Sequence, residues 1–219
     1  MSRFRPLALT ALALFAGLLA WASKEFTLPP ALHAKTYPAH DEHPQEHVTI
    51  AIDPYDIASK AAIFHVDWRN NDYLPVHFIV SNDGDQPISL THMSVELITA
   101  NRSKIQPSGN DELFRRLGRT KRRGDEPSRN PLPVPLPRRG PDVGVNKEAR
   151  QEVETAQFKA FAVEPHTSQS GFFFFDVQGI AQPLPGAHLY VTGLEDANGQ
   201  DLIYFEISLE KYLNSAPAK

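Results

Sequence analysis

The chain contains no cysteine. That excludes disulfides, thiolate metal sites, a cysteine nucleophile and a lipid-modified N-terminal cysteine. Familiar catalytic signatures are missing as well: there is no Gly-x-Ser-x-Gly, no His-Glu-x-x-His and no phosphate-binding glycine loop. No internal repeat and no βαβ rhythm occurs. A surplus of positive charge is also lacking: 22 Lys+Arg against 26 Asp+Glu give −4, which argues against a nucleic-acid binder.

What is present is enough chain for a core. The 219 residues are 41% hydrophobic and include 13 Phe and 19 Pro, which excludes a chain disordered throughout. Arg3 and Arg5 precede residues 7–22, an apolar run whose only polar member is Thr10, and Ala20-Trp21-Ala22 has the small-x-small form of a cleavage site. As a helix these residues reach about 24 Å, short of the roughly 30 Å hydrocarbon core. Residues 1–22 therefore read as an export signal. The alternative is an uncleaved membrane anchor through residues 7–22. Both readings place the protein in the periplasm or on the cell surface. Residues 23–46 carry Pro29, Pro30, Pro38 and Pro44 without apolar periodicity and read as a flexible tether.

Residues 47–213 read as a β domain. Residues 48–52 and 62–67 are expected strands. Leu74, Val76, Phe78 and Val80 alternate with Pro75, His77, Ile79 and Ser81, the pattern of a half-buried strand. Pro75 has no N–H to donate, so it is expected at the strand's start or on an edge. Asn82-Asp83-Gly84-Asp85 is a turn in which Gly84 is expected to supply a positive φ. Residues 172–175 are all Phe, which requires both faces of that strand to be covered. Leu189 and Val191 share a face, and after a hairpin at Asn198-Gly199 the residues Ile203, Phe205, Ile207 and Leu209 alternate with polar or amphipathic neighbours. About seven strands separated by turns predict a mainly β, antiparallel β-sandwich.

Residues 110–160 interrupt this pattern as an insertion. A short helix is expected over 111–117, a polyproline II run over 131–137, and an amphipathic helix through Val145, Ala149, Val153, Ala156 and Ala160. Residues 214–219 read as a disordered tail. The segment Val76-His77-Phe78-Ile79-Val80-Ser81-Asn82-Asp83-Gly84-Asp85-Gln86-Pro87-Ile88 resembles a strand–turn–strand of bacterial exported immunoglobulin-like domains. Residues 163–175 resemble their later core strand. The resemblance implies an immunoglobulin-like sandwich over roughly 74–209 and carries no catalytic residue onto the chain.

Three groups of residues carry candidate chemistry. His33, His40, His43 and His47, beside Asp41, Glu42 and Glu46, have spacings that suit Zn²⁺ or Cu²⁺ if the segment holds them in place. Arg115, Arg116, Arg119, Lys121, Arg122, Arg123, Arg129, Arg138 and Arg139 face only Asp125 and Glu126, a net +7 over 115–139 against −13 on the rest of residues 23–219. This set is a candidate contact for an anionic membrane, an acidic envelope polymer or an acidic protein, or a solvated loop that folds back on the acidic body. Asp67, Asp176 and Glu206 are scattered acids with no diagnostic pairing. Tyr204, Leu202 and residues 172–175 become contact candidates if one sheet face is open. Together these features predict a non-enzymatic exported module that binds or assembles in the cell envelope, without a cofactor. A metal-binding protein using the histidine tract is the alternative, and a hydrolase ranks behind both.

Overall fold

The computed structural model describes residues 26–122, 145 and 147–215. The apolar run 7–22, the polyproline run 131–137, and Arg123, Arg129, Arg138 and Arg139 lie outside the described residues. No described helix is long and apolar enough to cross a membrane. The described residues are mainly β, 34% strand and 21% helix, with antiparallel sheets consistent with a β-sandwich.

The first sheet comprises β1 (Ala39–His43), β2 (Val48–Pro54), β3 (Tyr73–Asn82) and β8 (Thr167–Asp176) in the order β1-β2-β3-β8. The second comprises β5 (Ser94–Ile98), β6 (Lys104–Ile105), β9 (His188–Thr192) and β10 (Phe205–Ser208) in the order β10-β9-β5-β6. A two-stranded ribbon joins β4 (Ile88–Ser89) to β7 (Ala162–Val163). The two large sheets share one core. Ile50, Ile52, Leu74, Val76, Phe78, Val80 and Phe175 from the first meet Val95, Leu97, Leu189, Val191, Phe205 and Ile207 from the second. Alternation within each strand places these side chains on the facing surfaces.

The first sheet is buried on its other face too, which explains the four consecutive Phe residues. Phe173 and Phe175 belong to the shared core, whereas Phe172 and Phe174 join Phe26, Trp68, Tyr73, Leu113, Val153 and Ala156 in a second cluster. That cluster is roofed by α2 (Asn110–Arg122), α3 (Lys147–Ala156) and the loop after α1 (Ala58–Ala61). The insertion is thus a third layer of the fold. Its two helices lie where the sequence predicts helices, and α2 runs five residues past 117. α4 (Glu210–Ser215) takes up the first two residues of the expected tail.

Four expectations need correction. Residues 26–46 are not a linker, because Ala34 is fully buried against Ala51 and Ile79, with Tyr37 beside them, and β1 forms the sheet's edge. Small Ala residues fill this contact, so no apolar period marks it. Residues 62–67 form no strand but a loop whose Phe64 stacks on Phe26 at 5.4 Å. β3 is a central strand, and it tolerates Pro75 because that residue lies just past the end of β2. Tyr55 N–H donates to Pro75 O at 2.9 Å, while the reciprocal bond that proline cannot make falls beyond the ladder. Finally, Gly84 has no positive φ. The turn is closed by Asn82, whose Oδ1 accepts from Gly84 N–H at 2.9 Å and whose Nδ2 donates to Gln86 O at 2.7 Å.

One buried carboxylate ties the third layer down. Glu152 on α3 is 1% exposed and accepts from the His65 N–H at 2.5 Å, the His65 ring at 3.0 Å and the Val66 N–H at 3.2 Å. Glu152→Ala would strand two backbone donors and is expected to cost about 2 kcal/mol. Glu152→Gln keeps an acceptor oxygen and should lose less. Urea unfolding checks this, and equal midpoints for both variants and wild type would refute it.

Candidate functional site

The two sheets differ in what covers their outer faces. Tyr73, His77, Ile79, Ser81, Phe172 and Phe174 on the first sheet are all buried. On the second, Ser94, Glu96, Ile98, His188, Tyr190, Thr192, Glu206 and Ser208 are all at least partly exposed. This open face follows from register. Glu96 pairs with Tyr190 and Tyr190 with Glu206, forming one row across three strands. Two ion pairs brace it, Lys104–Glu96 at 3.0 Å and His188–Glu206 at 3.3 Å. Beside them the Tyr190 and Tyr204 rings pack 5.0 Å apart. Ile203 and Tyr204 are 63% and 50% exposed, so a large apolar step rises at the edge of this face. Such a braced aromatic patch can hold a protein surface.

Of the contact candidates in the sequence, only Tyr204 stands on this face in the open. Residues 172–175 are packed inside, and Leu202 is half-buried against the shared core. Tyr190 was not singled out from sequence. The signal was there, since Leu189 and Val191 on one face put Tyr190 on the other.

The four histidines do not converge. His33 Nε2 meets Asp83 at 2.8 Å, His40 Nδ1–H donates to Tyr37 O at 2.6 Å, and His47 sits in a left-handed turn at φ 56°. His43 lies between two carboxylates, with Nδ1 2.8 Å from Glu46 and Nε2 3.5 Å from Asp41. These are opposite ring nitrogens, so the groups cannot share one ion. Residues 43–47 also read His-x-x-Glu-His, a zinc-enzyme spacing that needs a helix to align its ligands. Here they form the β1–β2 hairpin turn, which turns the side chains apart. Among the described residues no group of three or more His, Asp or Glu side chains is arranged to hold a metal ion.

His43 has a structural task instead. Its ring stacks on Phe205 of β10 at 3.9 Å, and its two carboxylate partners accept from that strand's edge, Asp41 from Glu206 N–H at 3.0 Å and Glu46 from Ile203 N–H at 2.8 Å. An unpaired strand edge is thereby covered.

The basic residues divide as well. Arg116 is not free to meet an anionic partner, because it forms a two-bond pair with Asp176 and lies 4.9 Å over the Tyr73 ring. Arg115 is exposed, 3.6 Å from Glu112 one turn earlier. Arg119, Lys121 and Arg122 follow it on the last turns of α2. Asp176 ends its strand as Arg116's partner, and Asp67 accepts from the Asn70 backbone and side chain.

A cleft of about 500 Å³ opens beside α4, lined by Tyr55, Asp56, Arg69, Asp72, Leu184 and Leu213 among others. Two of its polar residues, Asp56 and Arg69, are engaged within the fold. Tyr212 O–H donates to Asp56 at 2.7 Å, and Lys60 pairs with Asp53 while lying 4.5 Å over the Tyr212 ring. Burial and the Asp56 carboxylate hold the Tyr212 hydroxyl far above its usual range, and burial pushes Tyr55 up to about 12. Neither phenol is available as a base near neutral pH.

Fold and surface define a class: a mainly β protein with antiparallel sheets, covered by helices on one side and open on the other. No known protein family, characterised protein or solved structure matches the chain.

Proposed function

We propose that the chain is a non-enzymatic, exported immunoglobulin-like β-sandwich that acts as a binding or assembly module of the cell envelope. It engages a protein partner through the open face of its second sheet. The observation that carries this reading is the asymmetry of covering. One sheet has every outer-face aromatic buried, whereas the other presents Ile203, Tyr204 and Tyr190 to solvent inside a rim of paired charges. Aromatic anchors ringed by polar residues are how protein interfaces concentrate their binding energy. The turn closed by Asn82 and the Phe-rich strand support the immunoglobulin-like assignment, and the leader-like residues 1–22 support export.

The test is crosslinking and pull-down of the native protein from its own membranes, compared with an Ile203→Asp, Tyr204→Ala variant. One stoichiometric partner is expected with the wild type. Its recovery should fall at least about tenfold in the variant, with the thermal midpoint unchanged because both side chains are mostly exposed. Equal recovery with both proteins would overturn the reading.

A further inference from the structure

We infer that the partner on the open face of the second sheet is a second copy of this chain, docked face to face about a two-fold axis that runs along the strands. This rests on the reading of that face as the docking surface and names its occupant. The first observation is that charge is sorted between the two edges of the sheet, whose order is β10-β9-β5-β6. The β6 edge is basic. Lys104 is 65% exposed and gives one N–H to Glu96, which leaves the other donors of its ammonium open. Arg102, exposed at the tip of the hairpin that joins β5 to β6, forms no ion pair among the described residues. The β10 edge is acidic. Glu206 is 52% exposed and meets His188 through one oxygen, and Glu210 follows at the strand's end. Ile98 pairs with His188 and His188 with Ser208, so Arg102 and Glu210 lie at the same end of the sheet, on opposite edges.

These positions select the symmetry. An axis along the strands lays β6 of one copy over β10 of the other, so a basic edge meets an acidic edge twice in the dimer, as an isologous interface requires. An axis across the strands would lay β10 over β10 and set Glu206 against its own copy, which like-charge repulsion disfavours. Shape points the same way. β6 pairs only with Leu97 and Ile98, and the chain then leaves for the first sheet, where Pro107 bridges to Phe175. Beside Ser94 the described sheet therefore ends at β5, leaving a notch. Ser94 pairs with Thr192, and the register of β10 on β9 carries Tyr204 to the same level. The axis along the strands brings the raised Ile203–Tyr204 corner of each copy over the notch of the other, while Tyr190 and Ile98, on the inner strands, occupy the centre. Sheets stacked in this way keep their strands nearly aligned. With strands about 4.8 Å apart and about 3.4 Å per residue, the face measures roughly 300 Å² in projection. Two such faces stand at the small end of specific interfaces, so the dimer is reversible, with a dissociation constant on the order of 10–100 µM.

The test is sedimentation equilibrium of the full chain in a density-matched non-ionic detergent, over about 1 to 300 µM. The wild type is expected to pass from monomer to dimer across this range. Lys104→Glu and Glu206→Lys, each alone, put like charges at both contacts and should raise the dissociation constant at least about tenfold. Mixed in equal amounts, the two variants present opposite charges at both contacts, so the dimer should return as a heterodimer. The pairs these residues make within the chain are exposed and contribute little to stability, and unchanged thermal midpoints show that both variants are folded. A wild type that stays monomeric throughout would overturn the inference. So would a dimer that both variants leave unchanged, or one lost in each variant and not recovered on mixing. The Ile203→Asp, Tyr204→Ala pull-down separates this inference from the reading beneath it. If the wild type is monomeric yet recovers a different protein that the variant does not, the open face stands as a docking surface and the second copy falls as its occupant.

Discussion

Gly171→Ala is expected to destabilise the protein by about 3 kcal/mol. Gly171 lies in β8 on the core side, paired with Phe78 of β3. The segment leaving α3 passes directly over it. A Cβ at 171 would lie 2.4 Å from Phe158 Cα and 2.6 Å from Phe158 N, and backbone atoms cannot swing aside as a side chain can. The segment would have to lift, breaking the Phe158 N–H bond to Phe172 O at 3.1 Å. It would also draw the Phe158 ring away from Phe78 at 5.1 Å and Phe173 at 5.5 Å. Against a total stability of roughly 5–15 kcal/mol, that is a large fraction. The urea midpoint should drop accordingly. Gly109→Ser is the control, because nothing lies within 4 Å of its Cβ and serine suits the position before α2. An unchanged midpoint for Gly171→Ala would show that the Phe158 segment is not seated as described.

The same glycine illustrates what could be seen in the sequence. Periodicity marked β3, β9 and β10, and the four Phe residues announced a strand covered on both sides. Those signals are local, because a strand writes its own burial into alternate residues. What covers the second face was harder to see. The cover is made from Ala34, Tyr37, Phe26, Phe64 and two helices drawn from distant parts of the chain. Each contributes one or two apolar residues, too few for a period. Residues 26–46 consequently looked like a tether although they pack against the sheet. Gly171 likewise gives no local signal, since its reason for being glycine is 13 residues earlier in the chain, at Phe158. At the open face the signal was half present. Tyr204 stood out, while Tyr190 was hidden among residues that fill the core. The histidine tract failed for a related reason, because spacing defines a metal site only once the backbone conformation is known.

A second large effect should follow from acidification, and it comes from His77. This side chain is 1% exposed, on the outer face of β3 beneath Tyr37 and Tyr55, with Phe172 stacked against it at 5.0 Å. Its Nε2 is buried without a hydrogen-bond partner. Burial, aided by the Lys60 charge, lowers its pKa from 6.5 to about 4. The folded protein therefore resists the proton that the unfolded chain accepts. Above pH 6.5 the ring is neutral in both states and adds no pH dependence. As the pH falls from 6.5 the unfolded state takes up the proton first, and stability declines until the folded ring also protonates near 4. The accumulated loss is about 3 kcal/mol, and below that pH this group contributes no further slope. Asp83, whose pKa is lowered by His33 and then Lys35, acts in a different window. Its contribution is lost only as the pH falls below 3.8. Denaturant unfolding across pH 7.5 to 4 should show the decline in wild type. In His77→Leu, which fills the site without a titrating nitrogen, the same window should be markedly flatter. An equal slope in the variant would assign the acid sensitivity to other groups.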